Sequence, residues 1–226
     1  MKVYVHGWHQ LINRMKTLSS LKKSCQEATL CDIMRVFGPS FFMILWHKKV
    51  EHPPGFVEKL EKQIISQHDS KSYFTTYIDG RHKNDPILDE ELDNHIKDFY
   101  REVVTEMMKD VGIHGYLDYE TKDGNLRESY WVQMYNSETD SHFIHDHHGC
   151  GAFISWVHVL KALPTQKKAF FFANSRGQKL YPTYQSTSEM FAFPSWALHG
   201  VEQVTDVGVN RIIVAGNVYF KKQKPW

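Results

Sequence analysis

The stretch Glu189-Met-Phe-Ala-Phe-Pro-Ser-Trp-Ala-Leu-His199-Gly-Val-Glu-Gln-Val-Thr-Asp-Val-Gly-Val-Asn-Arg211-Ile-Ile-Val-Ala-Gly-Asn-Val-Tyr-Phe220 decides how this chain folds. It contains three short apolar runs, Glu189 to Phe193, Ala197 to Val204 and Arg211 to Phe220, with turn chemistry at Asp206-Val207-Gly208 before the last. Upstream, Ser129 to Tyr135, Phe153 to Leu160 and Ala169 to Ala173 repeat the pattern, and Asp123-Gly124-Asn125 and Asn174 to Gly177 supply further turns. Short β-rich runs at this regular spacing predict a sandwich or barrel over residues 115 to 220.

Before residue 115 the texture is helical. Pro53-Pro54-Gly55 precedes a predicted helix whose Phe56, Val57, Leu60 and Ile64 share one face. Gly80 to Pro86 reads as a loop, with Pro86 where a second helix would begin. That helix, about 87 to 111, places Leu88, Leu92, Ile96, Phe99, Val103 and Met107 along one stripe, and Asp89, Glu90 and Glu91 suit its positive N-terminal end. A further strand is expected at Val36 to Trp46. Helices first and strands second is the order of an α+β fold.

The chain has 226 residues, 42% of them apolar, and a net charge of +1 from 27 basic and 26 acidic side chains. That supports a single domain spanning about 36 to 226, preceded by a locally basic extension, residues 1 to 35, to which no role is assigned. The balanced charge removes the electrostatic case for a nucleic-acid partner. No apolar stretch approaches a bilayer span and no signal-peptide layout appears, so the expected location is the cytoplasm. Cys25, Cys31 and Cys150 form no disulfide or zinc-knuckle spacing.

The sequence holds 14 histidines, and His142, His145, His147, His148 and His158 crowd into one short stretch. If 144 to 148 is extended, His145 and His147 point to one side, and Asp146 and His148 to the other. Two imidazoles at i and i+2 can grip one metal ion, with a third ligand from a different strand, for which His199 is the best candidate. Arg211 opens an otherwise apolar strand, so it either faces solvent or binds a carboxylate bidentately.

Trp131-Val-Gln-Met-Tyr135, His145-Asp-His147-His-Gly149, Ser155-Trp-Val-His-Val, Phe193-Pro-Ser-Trp-Ala-Leu-His199-Gly-Val, Arg211 and Asn217 together resemble the 2-oxoglutarate and iron(II)-dependent oxygenases common in marine bacteria and phages. The resemblance covers residues 128 to 220, with a weaker likeness at Val36-Phe-Gly-Pro39. It implies a double-stranded β-helix, a cupin-like jelly roll, buttressed by N-terminal helices (about 55 to 111). It further implies Fe(II) held by His145, His147 and His199, and Arg211 paired with the far carboxylate of 2-oxoglutarate. Dioxygen would be the third reactant, and the reaction a hydroxylation coupled to formation of succinate.

Three departures bear on that carry-over. Ile213 stands where the family has Ser, so that hydrogen bond to the carboxylate has to come from elsewhere, with Tyr135 and Gln133 the candidates. Two extra residues lie between Gly149 and Ser155. The usual two-histidine, one-carboxylate triad is also one carboxylate short, because residue 147 is His. The metal set is then either three histidines, with Asp146 orienting them, or one that includes Asp146 after a local bulge, with His145 or His148 displaced. Two other classes stay open: a three-histidine cupin-like metalloenzyme that uses no keto acid, and a non-catalytic β-sandwich whose histidines are surface residues. The aromatic residues Trp131, Tyr135, Phe153, Trp156 and Trp196 would suit a peptide or a small apolar-faced substrate.

Overall fold

The computed structural model describes residues 43–67, 74–75, 88–113, 126–137 and 141–220. The expected extension at 1 to 35, most of the expected strand at Val36 to Trp46, the loop at Gly80 to Pro86 and the turn at Asp123 to Asn125 lie outside them.

In chain order the elements are β1 (Trp46–Lys49), α1 (Phe56–Gln67), β2 (Phe74–Thr75), α2 (Glu90–Asp110), β3 (Leu126–Tyr135), β4 (His142–His145), β5 (Ala152–Lys161), β6 (Phe170–Ala173), β7 (Lys179–Leu180), β8 (Glu189–Pro194), β9 (His199–Val201) and β10 (Arg211–Phe220). The helix expected from residue 87 starts at Glu90, because Asp89 is its cap: the side chain accepts the Leu92 N–H at 2.9 Å. Glu90, Glu91 and Asp93 follow in the first turn, where the dipole favours acids, and Gly112 (φ 88°) ends the helix.

Ten strands form two antiparallel sheets. The larger has the order β1-β8-β5-β10-β3-β2, and the smaller β4-β9-β6-β7. Strand alternation divides the large sheet's side chains into two sets. Tyr130, Val132, Met134, Ile154, Trp156, Leu160, Met190, Ile212, Val214 and Val218 join Leu60 and Ile64 of α1 and Leu92, Ile96, Tyr100, Val104 and Met107 of α2 in one core. Tyr100 and Val104, rather than the expected Phe99 and Val103, hold the buried stripe of α2. The Tyr100 hydroxyl is drawn inward by a 2.7 Å bond to His158 Nδ1.

The opposite face of the large sheet, with Trp131, Tyr135, Val157, Val159, Phe191, Phe193, Ile213 and Ala215, packs on Phe170, Phe172 and Val201 of the small sheet. Gly216 sits under the Trp156 indole, where a Cβ would also meet the Ser129 carbonyl at 2.6 Å, so only glycine fits between strand and ring. Among the described residues, no helix is long and apolar enough to cross a membrane.

Candidate metal centre

β4 stops at His145, so the expected extended run does not reach residue 148. His147 lies in a bend (φ −116°, ψ 7°) leading into a short 3-10 turn, His148–Cys150, and Gly151 closes that turn in the left-handed region at φ 80°. The two residues that exceed the family spacing fall in this connection. His147 is held instead by its backbone N–H, which donates to the Ser195 carbonyl at 2.9 Å. Ser195 is itself clamped: its hydroxyl donates to Ala152 O at 2.5 Å and its N–H to Phe153 O at 3.2 Å.

On β9, His199 pairs in register with His145. Between His142 and His145 the β4–β9 ladder carries a register shift. Such a bulge overrides strict alternation. His142 stacks on His145 with ring centroids 4.6 Å apart, and Phe143 and Ile144 both turn outward.

The result is convergence. One ligand atom each of His145, His147 and His199 lies within 4.8 Å of the others. His145 Nδ1 sits 2.9 Å from the Phe143 carbonyl and His199 Nδ1 2.8 Å from the Ala197 carbonyl. A carbonyl only accepts, so both Nδ1 atoms carry the proton and both Nε2 lone pairs are left for a metal. Burial first, then His145, pushes the pKa of His147 down to about 4. Burial, with His145 second, also holds His199 well below the usual range. Neutral imidazole is the form that ligates. Asp146 is exposed, and its Oδ1 accepts the His148 N–H at 3.0 Å in a local turn. It is not among the converging groups.

On the inter-sheet face of the large sheet, Arg211 is 1% exposed, and its Nε and Nη1 have no acceptor. Burial lowers its pKa to about 10, partly offset by Tyr135, its register partner on β3. Gln133 is 3% exposed and stands opposite Ile213, the position where the resembled family has Ser. The Tyr135 hydroxyl donates to Gln133 Oε1 at 2.7 Å, which fixes the amide and leaves Gln133 Nε2 without a partner. His142 Nδ1 lies 3.3 Å from that hydroxyl, completing a line of contacts from β4 to β3. Its pKa is pushed down to about 4 by burial and by His145.

Buried donors without acceptors cost free energy unless a ligand satisfies them. Two guanidinium nitrogens and one amide nitrogen match the oxygens of a carboxylate in number and chemistry. The cavity beside them is lined by Trp131, Gln133, His142, His145, His147 and His199, among others. Of the aromatic residues expected near the site, Trp131 lies 5.7 Å from His147, whereas Trp196 is exposed and Trp156 packs on Tyr100 among the helices. The role of His142 was hidden in the sequence, since i and i+3 share no face of a regular strand.

By class, the chain has the fold of non-heme, alpha-ketoglutarate-dependent enzymes. Among the solved structures that share it are the alpha-ketoglutarate-dependent epimerase SnoN from nogalamycin biosynthesis (8% identity, 83% of each chain, TM-score 0.53). AviO1 from Streptomyces viridochromogenes also shares it (11% identity, 88% of this chain and 99% of that one, TM-score 0.52). So does a Pseudomonas putida prolyl-4-hydroxylase (13% identity, 78% and 92%, TM-score 0.50). No protein-family sequence model matches the chain, and no curated protein sequence does.

Proposed function

We propose that this protein is a 2-oxoglutarate- and Fe(II)-dependent oxygenase of the hydroxylase type, built on a double-stranded β-helix, or jelly roll, with α1 and α2 buttressing the large sheet. His145, His147 and His199 would hold the iron. Three neutral imidazoles are an accepted donor set for Fe(II), and their fixed tautomers present lone pairs with no proton to displace. Iron(II), when bound, supplies oxidative decarboxylation of 2-oxoglutarate by dioxygen to succinate and carbon dioxide, with the second oxygen atom passing to a substrate C–H bond.

The chain's own residues bind and orient. Arg211 takes the far carboxylate of the keto acid, and Gln133 adds the donor that Ile213 cannot. Tyr135 holds the Gln133 amide in the required orientation. The apolar wall of Trp131, Val157, Phe170 and Phe193 keeps water from the reacting centre.

The observation that carries this reading is the buried Arg211 guanidinium with two nitrogens unpaired. A three-histidine metalloenzyme that uses no keto acid would leave that charge buried at full cost, and a binding module with surface histidines would not bury His199 to 5% exposure. The test is stoichiometry. Iron-loaded protein supplied with 2-oxoglutarate and dioxygen should release succinate and carbon dioxide in equal amounts at the expense of oxygen. Oxygen uptake without succinate contradicts the proposal.

A further inference from the structure

Five large hydrophobic side chains are exposed among the described residues, and three of them, Phe143 (71%), Ile144 (43%) and Trp196 (57%), frame the histidine centre. Phe143 lends its carbonyl to His145, and its ring lies 5.6 Å from that imidazole. Trp196 sits between Ser195 and Ala197, whose carbonyls hold His147 and His199. Apolar groups so close to a centre, facing water, mark a contact surface rather than scattered exposure.

The backbone says what kind of partner covers them. β4 is the edge strand of the small sheet, pairing only with β9 among the described residues. Natural edges are blunted with lysine, proline or inward charge. β4, His142-Phe-Ile-His145, carries none of these, and its bulge turns two consecutive apolar side chains outward. Asp146, at its end, is the one fixed charge between Ser141 and Gly151 and is exposed. An open ladder edge accepts an extended main chain. Apolar side chains flanked by one carboxylate complement a segment with apolar residues and a basic residue.

We propose that the substrate is an extended polypeptide segment that adds to the free edge of β4, laying apolar side chains on Phe143, Ile144 and Trp196 and a basic residue near Asp146, so that one residue is presented to the histidine centre. The proposal rests on the oxygenase reading for what is done to that residue, and on the strand edge alone for what binds.

The test uses full-length protein loaded with Zn(II) and 2-oxoglutarate, against which a library of short random peptides is selected by mRNA display. Enriched peptides should alternate apolar residues beside Lys or Arg. Their affinity should fall about tenfold or more in Phe143→Asp and in Trp196→Asp at unchanged metal content. N-methylation of alternate peptide amides should abolish binding. Absence of any enriched peptide overturns the proposal. Unchanged affinity on N-methylation at every position also overturns it, because side-chain contact alone would then suffice, as for a small apolar molecule. A dimer in sedimentation that Phe143→Asp dissociates would assign the edge to a second copy instead. Peptide binding without succinate release would sink only the oxygenase reading, and succinate release without peptide binding only this one.

Discussion

The two faces of the large sheet each carry a histidine cluster, and the two are built differently. On the helix side His158 spends both ring nitrogens on the protein: Nε2 lies 2.9 Å from the Val50 carbonyl, and Nδ1 2.7 Å from the Tyr100 hydroxyl. Because Val50 O only accepts, Nε2 carries the proton, and Tyr100 must donate to Nδ1. The Tyr100 oxygen then accepts from His52 Nε2 (3.1 Å), and His52 Nδ1 faces His95 Nε2 at 3.4 Å. Donor follows acceptor along the whole chain. On the other face His145 and His199 anchor only Nδ1, and Nε2 is left open. A buried histidine with both nitrogens occupied holds a fold together, and one with a nitrogen held open is ready for a ligand.

The sharpest way to break this comparison is to exchange its members. His199→Ala should lower Zn(II) affinity by more than about a hundredfold, beyond what loss of an outer partner costs, while leaving the unfolding midpoint nearly unchanged. His158→Phe should do the reverse. It leaves the Tyr100 hydroxyl and Val50 carbonyl unpaired, at a cost of ~2–4 kcal/mol, with metal affinity intact. Equilibrium metal titration and denaturant melts on both variants read the two effects separately. Equal metal loss in both would erase the distinction.

Arg211→Met should come next. Removing a buried, unpaired guanidinium should leave the unliganded fold as stable as before or more so, while 2-oxoglutarate affinity, followed by calorimetry, falls about a hundredfold. A destabilised fold would mean that Arg211 already has its partner inside the protein.

The helix-side cluster also predicts a pH dependence. Burial lowers His158 to about 4 and His52 to about 2, both below the value near 6.5 of an unfolded chain. The unfolded state therefore binds more protons, so stability is fully present above about pH 6.5 and is lost as pH falls through the folded values. Denaturant melts between pH 7 and 4 should steepen accordingly, and His158→Phe should flatten the profile. The smallest effect is expected from Asp146→Asn, within about threefold in metal affinity, since its carboxylate is engaged by the His148 N–H.

Much of this was legible in the sequence. The strands from Ser129 to Phe220 fall where alternation and turn residues place them, because each has one face on a hydrophobic layer. His145, His147, His199 and Arg211 could be picked out by spacing. What could not be read depends on pairing across the chain. The β4 bulge, which brings His142 onto His145, exists only in the ladder with His199 and Val201. Gln133 can answer for Ile213 only because β3 and β10 pair in that register. His158 lay in the same crowded stretch as the metal candidates, yet it serves the opposite face, since β5 turns it toward Tyr100.

Anaerobic addition of 2-oxoglutarate to the Fe(II)-loaded protein tests the central claim most directly. Chelation of the keto acid at an iron held by His145, His147 and His199 predicts a charge-transfer band in the visible, lost in His199→Ala and shifted to far higher 2-oxoglutarate concentration in Arg211→Met. No band in the wild-type protein, with iron bound in stoichiometric amount, would contradict it.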